Sequence, residues 1–384
     1  MNLFVKNCIS KFISAVSTLT PQKKVICFDS YPDYTDNPYA AFIRIINDAR
    51  FKNYRIVWMI GNKNEYTKLR KKIIKDYPPA KVVKKRSLKG LYYLLVCRFY
   101  LCSHGVSHTV KLNQKKPKII NLWHGMPLKV VGIMDKAYGN TFENSDIIIA
   151  TNDFFADILS RCFLIDRANV KVFGQARNDT FKEPTDFFDL YNVSPSRYAA
   201  IGVWMPTFKK NIYTEKRIDG FYKEGYVSFF SPEMLSTFDK DLAKRNILII
   251  VKLHPMDAMN QFKFPLYTNI LIVNDSGPRF QLYPMLGKMD FLLTDYSSVF
   301  VDYDILGRPM GFTINDLESY KQSRGFFVDD VESFLPGVII SDYTAMIHFI
   351  DNYKEMQKET GDTFNKYKDF NSAQRLLNYL SSVS

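Results

Sequence analysis

Short β-branched and apolar runs alternate with helical patterns from Lys23 onward, and a chain written that way folds into parallel sheets assembled from βαβ units. The strand-length runs of the first half are Val25 to Phe28, Arg55 to Ile60, Lys81 to Val83, Phe99 to Cys102, Lys118 to Leu122, Asp146 to Ala150 and Val170 to Phe173. The second half repeats the style at Tyr198 to Trp204, Ile247 to Leu253, Ile270 to Val273, Phe291 to Thr294, Met310 to Thr313 and Val338 to Ile340. Helical periodicity lies between several of them, at Pro38 to Ala49, Glu65 to Lys75 and Leu88 to Val96. Ser231-Pro232 opens a further helix, because Ser caps the first free N–H groups and Pro sits where its missing N–H is not needed. At 384 residues the chain exceeds one core of about 150 residues. The expected architecture is α/β: two Rossmann-like domains with parallel sheets facing a central cleft, joined by a linker over 182–197 that carries Pro184 and Pro195.

Charge narrows the class of partner. Lys and Arg number 52 against 39 Asp and Glu, a net charge of +13, which points to an anionic partner: nucleic acid, anionic lipid or a phosphorylated substrate. Cys8, Cys27, Cys97, Cys102 and Cys162 are scattered with no C-x-x-C pair, so a disulfide framework or a zinc cluster is not expected and a reducing cytoplasm fits. No apolar run approaches the roughly 20 residues that span a bilayer. Lys6 and Lys11 interrupt the region that a signal peptide keeps apolar. Residues 3–19 do carry an amphipathic helical stripe, Phe4, Cys8, Phe12 and Val16 beside Val5, Ile9 and Ile13, opposite Lys6 and Lys11. Such a helix either docks on its own domain or lies in an anionic lipid interface.

Ligands of open parallel sheets bind beyond the carboxyl ends of the strands, so the residues that follow strands are the ones to search. Of the five histidines, His124 follows the run ending at Leu122, inside the turn Trp123-His124-Gly125-Met126-Pro127, and His254 follows Leu253 in Lys252-Leu253-His254-Pro255. One such histidine alone would read as structural; one per domain favours function. His104 and His108 with Cys102 resemble a metal set only weakly and read as satisfied loop imidazoles, and His348, next to Phe349 and Ile350, reads as a packing residue. Thr294-Asp295-Tyr296-Ser297-Ser298 runs from a strand into a helix, where free N–H groups and Ser hydroxyls can hold an anion, although an ordinary cap looks the same. Arg177, in Gly174-Gln175-Ala176-Arg177-Asn178-Asp179, and Lys209, in Pro206-Thr207-Phe208-Lys209-Lys210, place cations just past strands. Asp239-Lys240-Asp241 and Asp302-Tyr303-Asp304 fit a D-x-D pattern that arises easily by chance; the first is expected on a solvated helix and Asp302 toward the cleft. The phosphate-loop, nucleophile-elbow, dinucleotide and H-E-x-x-H templates are absent.

The ordered series Trp123 to Lys129, Gly174 to Asp179, Pro206-Thr207, Lys252 to Pro255, Thr294 to Ser298, and Ser319-Tyr320 through Arg324-Gly325-Phe326-Phe327 resembles the CDP-glycerol glycerophosphotransferase family of teichoic acid synthesis. The match covers residues 118–341, and ordered motifs are more specific together than singly. After the amphipathic N-terminal helix, placed within 1–22, the resemblance implies a GT-B-like fold: an acceptor domain over 23–181, a CDP-donor domain over 198–355, and a last helix within 356–384 that crosses back. The implied reaction moves glycerol phosphate from CDP-glycerol to a hydroxyl of a lipid-linked saccharide or glycerophosphate acceptor. CMP leaves, and the enzyme works peripherally at the cytoplasmic face of a Gram-positive cell membrane. The chain length looks more like that of primases than of the longer polymerases. Carried over by position, His124 is the general base and His254 stabilises donor phosphate charge. Arg177, Thr207, Lys252, Ser297 and Ser298 surround the pyrophosphate, and Gly125, Met126, Pro127, Leu128, Lys129, Asn178, Pro206, Lys209, Leu253, Asp295 and Asp302 complete the substrate-binding set.

This chain departs from the family pattern at three places: Met126 in place of Thr, Gln175-Ala176 in place of Tyr-Pro, and Phe208-Lys209 in place of Trp-Arg. Met cannot donate a hydrogen bond and Lys is not a fork, so a ribitol-phosphate or other polyol-phosphate donor stays open. So does a nucleotide-sugar glycosyltransferase of the same architecture. A nucleic-acid role ranks last, because the aromatics are not interleaved with a basic run. No cofactor can be argued, no ligand set for a metal is assigned, and the need for a divalent ion is left open.

Overall fold

Alternation in the strands decides the layering. In β1 (Val25–Asp29) and β2 (Arg55–Ile60), Ile26, Phe28, Ile56, Trp58 and Ile60 enter one apolar cluster, while Val25, Cys27, Val57 and Met59 enter another. A strand buried on both faces reads as a continuous apolar run and belongs inside a parallel sheet covered by helices on each side. The computed structural model describes residues 15–106, 117–135, 145–207, 223–254, 262–274 and 281–384. They divide into two compact units, the first made of 1–126, 131–180 and 366–384, the second of 127–130 and 181–365.

The first unit adds β3 (Lys81–Lys84), β4 (Phe99–Cys102), β5 (Lys118–Asn121), β6 (Ile147–Ala150) and β7 (Val170–Val172). Its seven-stranded sheet has the order β3-β2-β1-β4-β5-β6-β7, with every pair parallel. The last helix of the chain, Ser372–Ser382, belongs here: Leu376, Leu377 and Leu380 join the cluster around Phe28 and Trp58. Its first turn is capped by Asp179, whose carboxylate accepts from Ser372 N at 2.9 Å and Ala373 N at 2.8 Å, an anion placed at the positive end of the helix dipole.

The second unit contains β8 (Ala200–Met205), β9 (Ile247–Lys252), β10 (Ile270–Val273), β11 (Phe291–Thr294), β12 (Met310–Thr313) and β13 (Val338–Ile340), in the all-parallel order β10-β9-β8-β11-β12-β13. In each unit the strand order reverses beside the first strand, between β1 and β4 and between β8 and β11, and at such a switch point the loops part and leave room for a ligand. Gly202 shows how tightly the β8–β11 seam is packed: it pairs with Phe291, and a Cβ on it would stand 2.2 Å from the Phe291 ring. Gly202→Ala is expected to cost about 1–3 kcal/mol through overpacking, read as a lowered midpoint in thermal or urea unfolding.

The structure differs from the sequence expectations in several details. Residues 182–197, expected as the linker, include the helix Phe187–Leu190, and Phe187 is buried. Residues 127–130 leave the first unit for the second, and 356–365 also stay with the second. His348 is exposed on the helix Tyr343–Asn352 beside Asn352, because the buried stripe of that helix is Met346, Phe349 and Ile350. The first D-x-D pair does lie on a helix, Pro232–Arg245, yet both carboxylates are engaged. Asp239 accepts from Thr268 N and Asn269 N, and Asp241 accepts from Tyr343 Oη. Of the amphipathic stripe at 3–19, residues 3–14 lie outside the described residues, and Ala15 to Leu19 are helical with Ser17 buried.

Candidate active site

The first unit gathers its chemistry at the carboxyl ends of β1, β4, β5 and β7. After β5 the chain reverses sharply: Trp123 takes a left-handed φ of 58° and Gly125 a φ of 145°. That turn holds His124 at its tip, and the Trp123 ring anchors it edge-on to Phe163 at 4.7 Å. A non-glycine residue in the left-handed region costs about 1–3 kcal/mol and persists where surrounding structure enforces it.

His124 Nδ1 lies 3.0 Å from the Ser103 carbonyl. A carbonyl only accepts, so Nδ1 carries the hydrogen and Nε2 holds the lone pair. The residue is exposed by surface area, yet the protein packed around it lowers its pKa; the Ser103 carbonyl and Asp36 push upward, and Arg177 downward. Surface area reports what an incoming hydroxyl meets, whereas the surrounding low-dielectric mass sets proton affinity, so both descriptions hold. The result is a neutral imidazole with a reachable basic nitrogen. His104, which the sequence left as a loop histidine, stacks on this ring with centroids 4.0 Å apart and planes within 3°.

Behind the turn lies a hub that sequence reading missed. Asn37, fully buried in the first turn of the helix Asp36–Ile46, donates from Nδ2 to the Trp123 carbonyl at 2.8 Å and to Gln175 Oε1 at 2.6 Å, with the Leu122 carbonyl at 3.3 Å. Its Oδ1 accepts from Arg177 N at 3.0 Å. Arg177 Nη1 donates to Asp36 Oδ1 at 2.6 Å and to the His124 carbonyl at 3.0 Å, so this cation braces the His124 turn. Asn178 is buried, and neither Nδ2 nor Oδ1 of its amide is hydrogen-bonded. The signal that could have found Asn37 is positional: it opens the helix after β1, beside the switch point.

The second unit presents a cationic set at the ends of β8, β9 and β11. Lys252 is buried and donates from Nζ to the Leu253 carbonyl at 2.7 Å. His254 is exposed, and burial by surrounding protein, then the charges of Lys252 and Lys129, hold its pKa down at about 4. At neutral pH it is therefore a neutral hydrogen-bonding group, and the positive charge resides on the two lysines. Lys129 is placed by a short antiparallel bridge to Phe326, flanked by Val130 N donating to the Gly325 carbonyl at 3.2 Å and Phe327 N to the Leu128 carbonyl at 3.0 Å. Two motifs far apart in sequence are thus one local structure.

Asp295, fully buried, accepts from Thr207 N at 2.9 Å and from Thr207 Oγ1 at 2.5 Å. Thr294 Oγ1 donates to the Met205 carbonyl at 2.7 Å. These bonds clip the Pro206-Thr207 turn to the loop after β11. Ser297 and Ser298 are partly buried ahead of the five-residue helix Val299–Tyr303, and Ser298 makes no side-chain cap. Tyr296 between them and Asp295 stacks on Tyr320 at 4.0 Å. Asp302 is buried and accepts from Tyr283 Oη at 3.2 Å, an interior position. Lys209, Pro255 and His108 lie outside the described residues. Among the described residues, no three His, Cys, Asp or Glu side chains come together as metal ligands.

The family model described as CDP-Glycerol:Poly(glycerophosphate) glycerophosphotransferase matches residues 12–382. A teichoic acid poly(glycerol phosphate) polymerase of Bacillus spizizenii is 24% identical over 90% of this chain and 88% of its own. A teichoic acid glycerol-phosphate primase of Bacillus subtilis is 27% identical over 77% of this chain and 76% of its own. The solved wall teichoic acid polymerase TagF superposes with a TM-score of 0.74 at 22% identity, covering 98% of this chain and 95% of that one, a likeness that establishes the GT-B-like fold.

Proposed function

From the premise that the chain belongs to the CDP-glycerol:poly(glycerophosphate) glycerophosphotransferase family, we propose that it transfers glycerol phosphate from CDP-glycerol to a hydroxyl of a lipid-linked teichoic-acid-type acceptor and releases CMP. The observation that carries this reading is the His124 ring: its Nδ1 is fixed on the Ser103 carbonyl, which leaves Nε2 as a base directed by its tautomer. In the proposed step the acceptor oxygen attacks the phosphorus that bears glycerol, its proton passes to His124 Nε2, the P–O bond to CMP breaks, and CMP leaves with the electron pair. Phosphoryl transfer of this kind depends on positioning and on preorganised positive charge more than on covalent chemistry.

The donor set falls to the second unit. Lys252 and Lys129 supply charge to the pyrophosphate, His254 donates a neutral hydrogen bond, and Thr207, Ser297 and Ser298 offer hydroxyls. Asp295 and Pro206 act by shaping the Thr207 turn, and Leu253 by carrying His254. Gly125, Met126, Pro127 and Leu128 are buried in the stretch of chain between His124 and Lys129 and stay in the set on the strength of the motif. Asn178 supplies an unpaired buried amide that a substrate hydroxyl would satisfy. Arg177 acts through His124, since its Nη1 is engaged by Asp36. Asp302, bound by Tyr283, supports the loop from the interior, and Lys209 stays in the set on the strength of the motif alone.

A donor panel tests the reading: nucleotide release from CDP-glycerol, CDP-ribitol and UDP-sugars, each with and without a lipid-linked disaccharide analogue. Acceptor-dependent CMP from CDP-glycerol is expected; UDP from a sugar donor with silence from both CDP donors would contradict it. We also place the enzyme peripherally at the inner face of the cell membrane. No helix among the described residues is long and apolar enough to cross a bilayer, and the net charge of +13 suits an anionic surface. Deleting residues 1–19 is expected to release the protein from phosphatidylglycerol vesicles in a sedimentation assay while the remainder stays folded by circular dichroism; a truncated protein that still sediments with the vesicles would remove this segment as the anchor.

A further inference from the structure

We propose that His104 is a positioning residue for the transfer reaction, holding the His124 ring in the plane in which Nδ1 meets the Ser103 carbonyl and Nε2 faces the acceptor hydroxyl. This rests on His124 being the base. Five contacts support it, all within the first unit. The two imidazoles lie face to face, 4.0 Å apart and 3° from parallel, a geometry that blocks rotation of the His124 ring about its Cβ–Cγ bond. Ser103 serves both rings at once: its carbonyl takes the His124 Nδ1 hydrogen at 3.0 Å, and its hydroxyl sits 2.7 Å from His104 Nδ1. The same hydroxyl accepts from Tyr31 N at 3.2 Å, so its own hydrogen is available to His104 Nδ1, which then acts as an acceptor and leaves the His104 hydrogen on Nε2. Finally, Tyr31 meets the His104 ring edge-on at 5.7 Å, 83° between planes, and supports the ring from a further side.

The stack also has an electrostatic consequence. His104 is held neutral: burial, then the charges of His124, Lys85 and Arg177, push its pKa down to about 2. Across the range in which an enzyme works, His124 therefore gains its proton beside a neutral aromatic face, which favours a cation, and never beside a second imidazolium, which would repel it. Around His124 itself the charged groups are Asp36 and Arg177, joined to each other at 2.6 Å.

The test uses the full chain with His104→Ala, His104→Gln and His104→Phe, and His124→Ala in parallel. Gln retains a partner for the Ser103 hydroxyl without a ring, and Phe retains the flat face without a titrating group. Two readouts are taken: kcat and KM for CMP release from CDP-glycerol with acceptor, and the His124 tautomer from long-range proton–nitrogen spectra of histidine-labelled protein. The expected result is a single Nδ1–H tautomer for His124 in the parent and an averaged one in the Ala and Gln variants. In those two, kcat falls about 10-fold to 100-fold with donor KM within about twofold, and Phe recovers most of the turnover and the tautomer. Parental kcat and an unchanged His124 tautomer in either Ala or Gln would overturn the proposal while leaving His124 in place. A His124→Ala enzyme with near-normal turnover would remove the base assignment and this inference with it.

Discussion

Replacing His124 with Ala is expected to lower kcat by about 100-fold to 10,000-fold, with CDP-glycerol still bound. The size follows from what is lost. Attack by a neutral hydroxyl on phosphorus needs the proton removed as the new bond forms, and His104, the imidazole stacked on His124, has its Nδ1 on the Ser103 hydroxyl and not on a carbonyl. The ring sits on a turn fixed by Trp123, Gly125 and the Ser103 carbonyl, so a replacement water would be neither basic enough nor oriented. The pH profile carries an independent sign. His124 has its pKa lowered from 6.5, chiefly by burial, so its neutral, competent form persists to lower pH than that of a free imidazole and is lost as pH falls through the folded value. The acidic limb of kcat/KM is therefore expected to have its midpoint below 6.5 and to vanish in the Ala variant. A limb unchanged by the substitution would assign it to another group. Binding of CDP-glycerol, followed by calorimetry, should remain within a few-fold of the parent, because the donor set belongs to the second unit.

Asn37→Leu is the second large effect. The side chain is fully buried and joins three segments that are distant in sequence, through the Trp123 carbonyl, Gln175 Oε1 and Arg177 N. Leucine fills a similar volume and satisfies none of them. Each buried group left unpaired costs about 1–3 kcal/mol, and relaxation or water recovers part of the total, so a net loss of about 3 kcal/mol is expected. It should appear as a lower urea midpoint with an unchanged m-value. Turnover should fall as well, since the His124 turn and the Arg177 segment are no longer clipped together, and a displacement of the order of 1 Å at a catalytic group costs about 100-fold. A Leu variant with parental stability and turnover would show that the hub does not hold the site.

The sheets were legible in the sequence because buried parallel strands write themselves as continuous apolar runs, and the runs at Arg55 to Ile60, Phe99 to Cys102 and Phe291 to Thr294 coincide with β2, β4 and β11. The strand-end positions of His124 and His254 were legible for the same reason: once a strand is placed, the residue after it is placed. Pairings across long sequence separations were not. Asn37 and Gln175 are 138 residues apart, and nothing local marks either as the other's partner. Gln175 had stood out only as a departure from the family pattern, and the hub gives it a bonding role. His104 was set aside because no local pattern announces a stack with a ring 20 positions later. The Asp295 carboxylate looked like a substrate group in the motif; the Thr207 amide and hydroxyl that donate to it come from another strand end. The 182–197 segment read as linker because its prolines and mixed polarity hide one buried aromatic, Phe187.

The central claim is that a phosphorus–oxygen bond is exchanged: glycerol phosphate moves to an acceptor hydroxyl and CMP departs. Its most direct test is phosphorus NMR of the purified full chain with CDP-glycerol and a lipid-linked disaccharide analogue. The account predicts one new phosphodiester on the acceptor for each CMP formed, with neither signal growing in the His124→Ala enzyme. CDP-glycerol consumed to free glycerol phosphate while the acceptor stays unmodified, or an acceptor modified by a sugar with release of UDP, would contradict it.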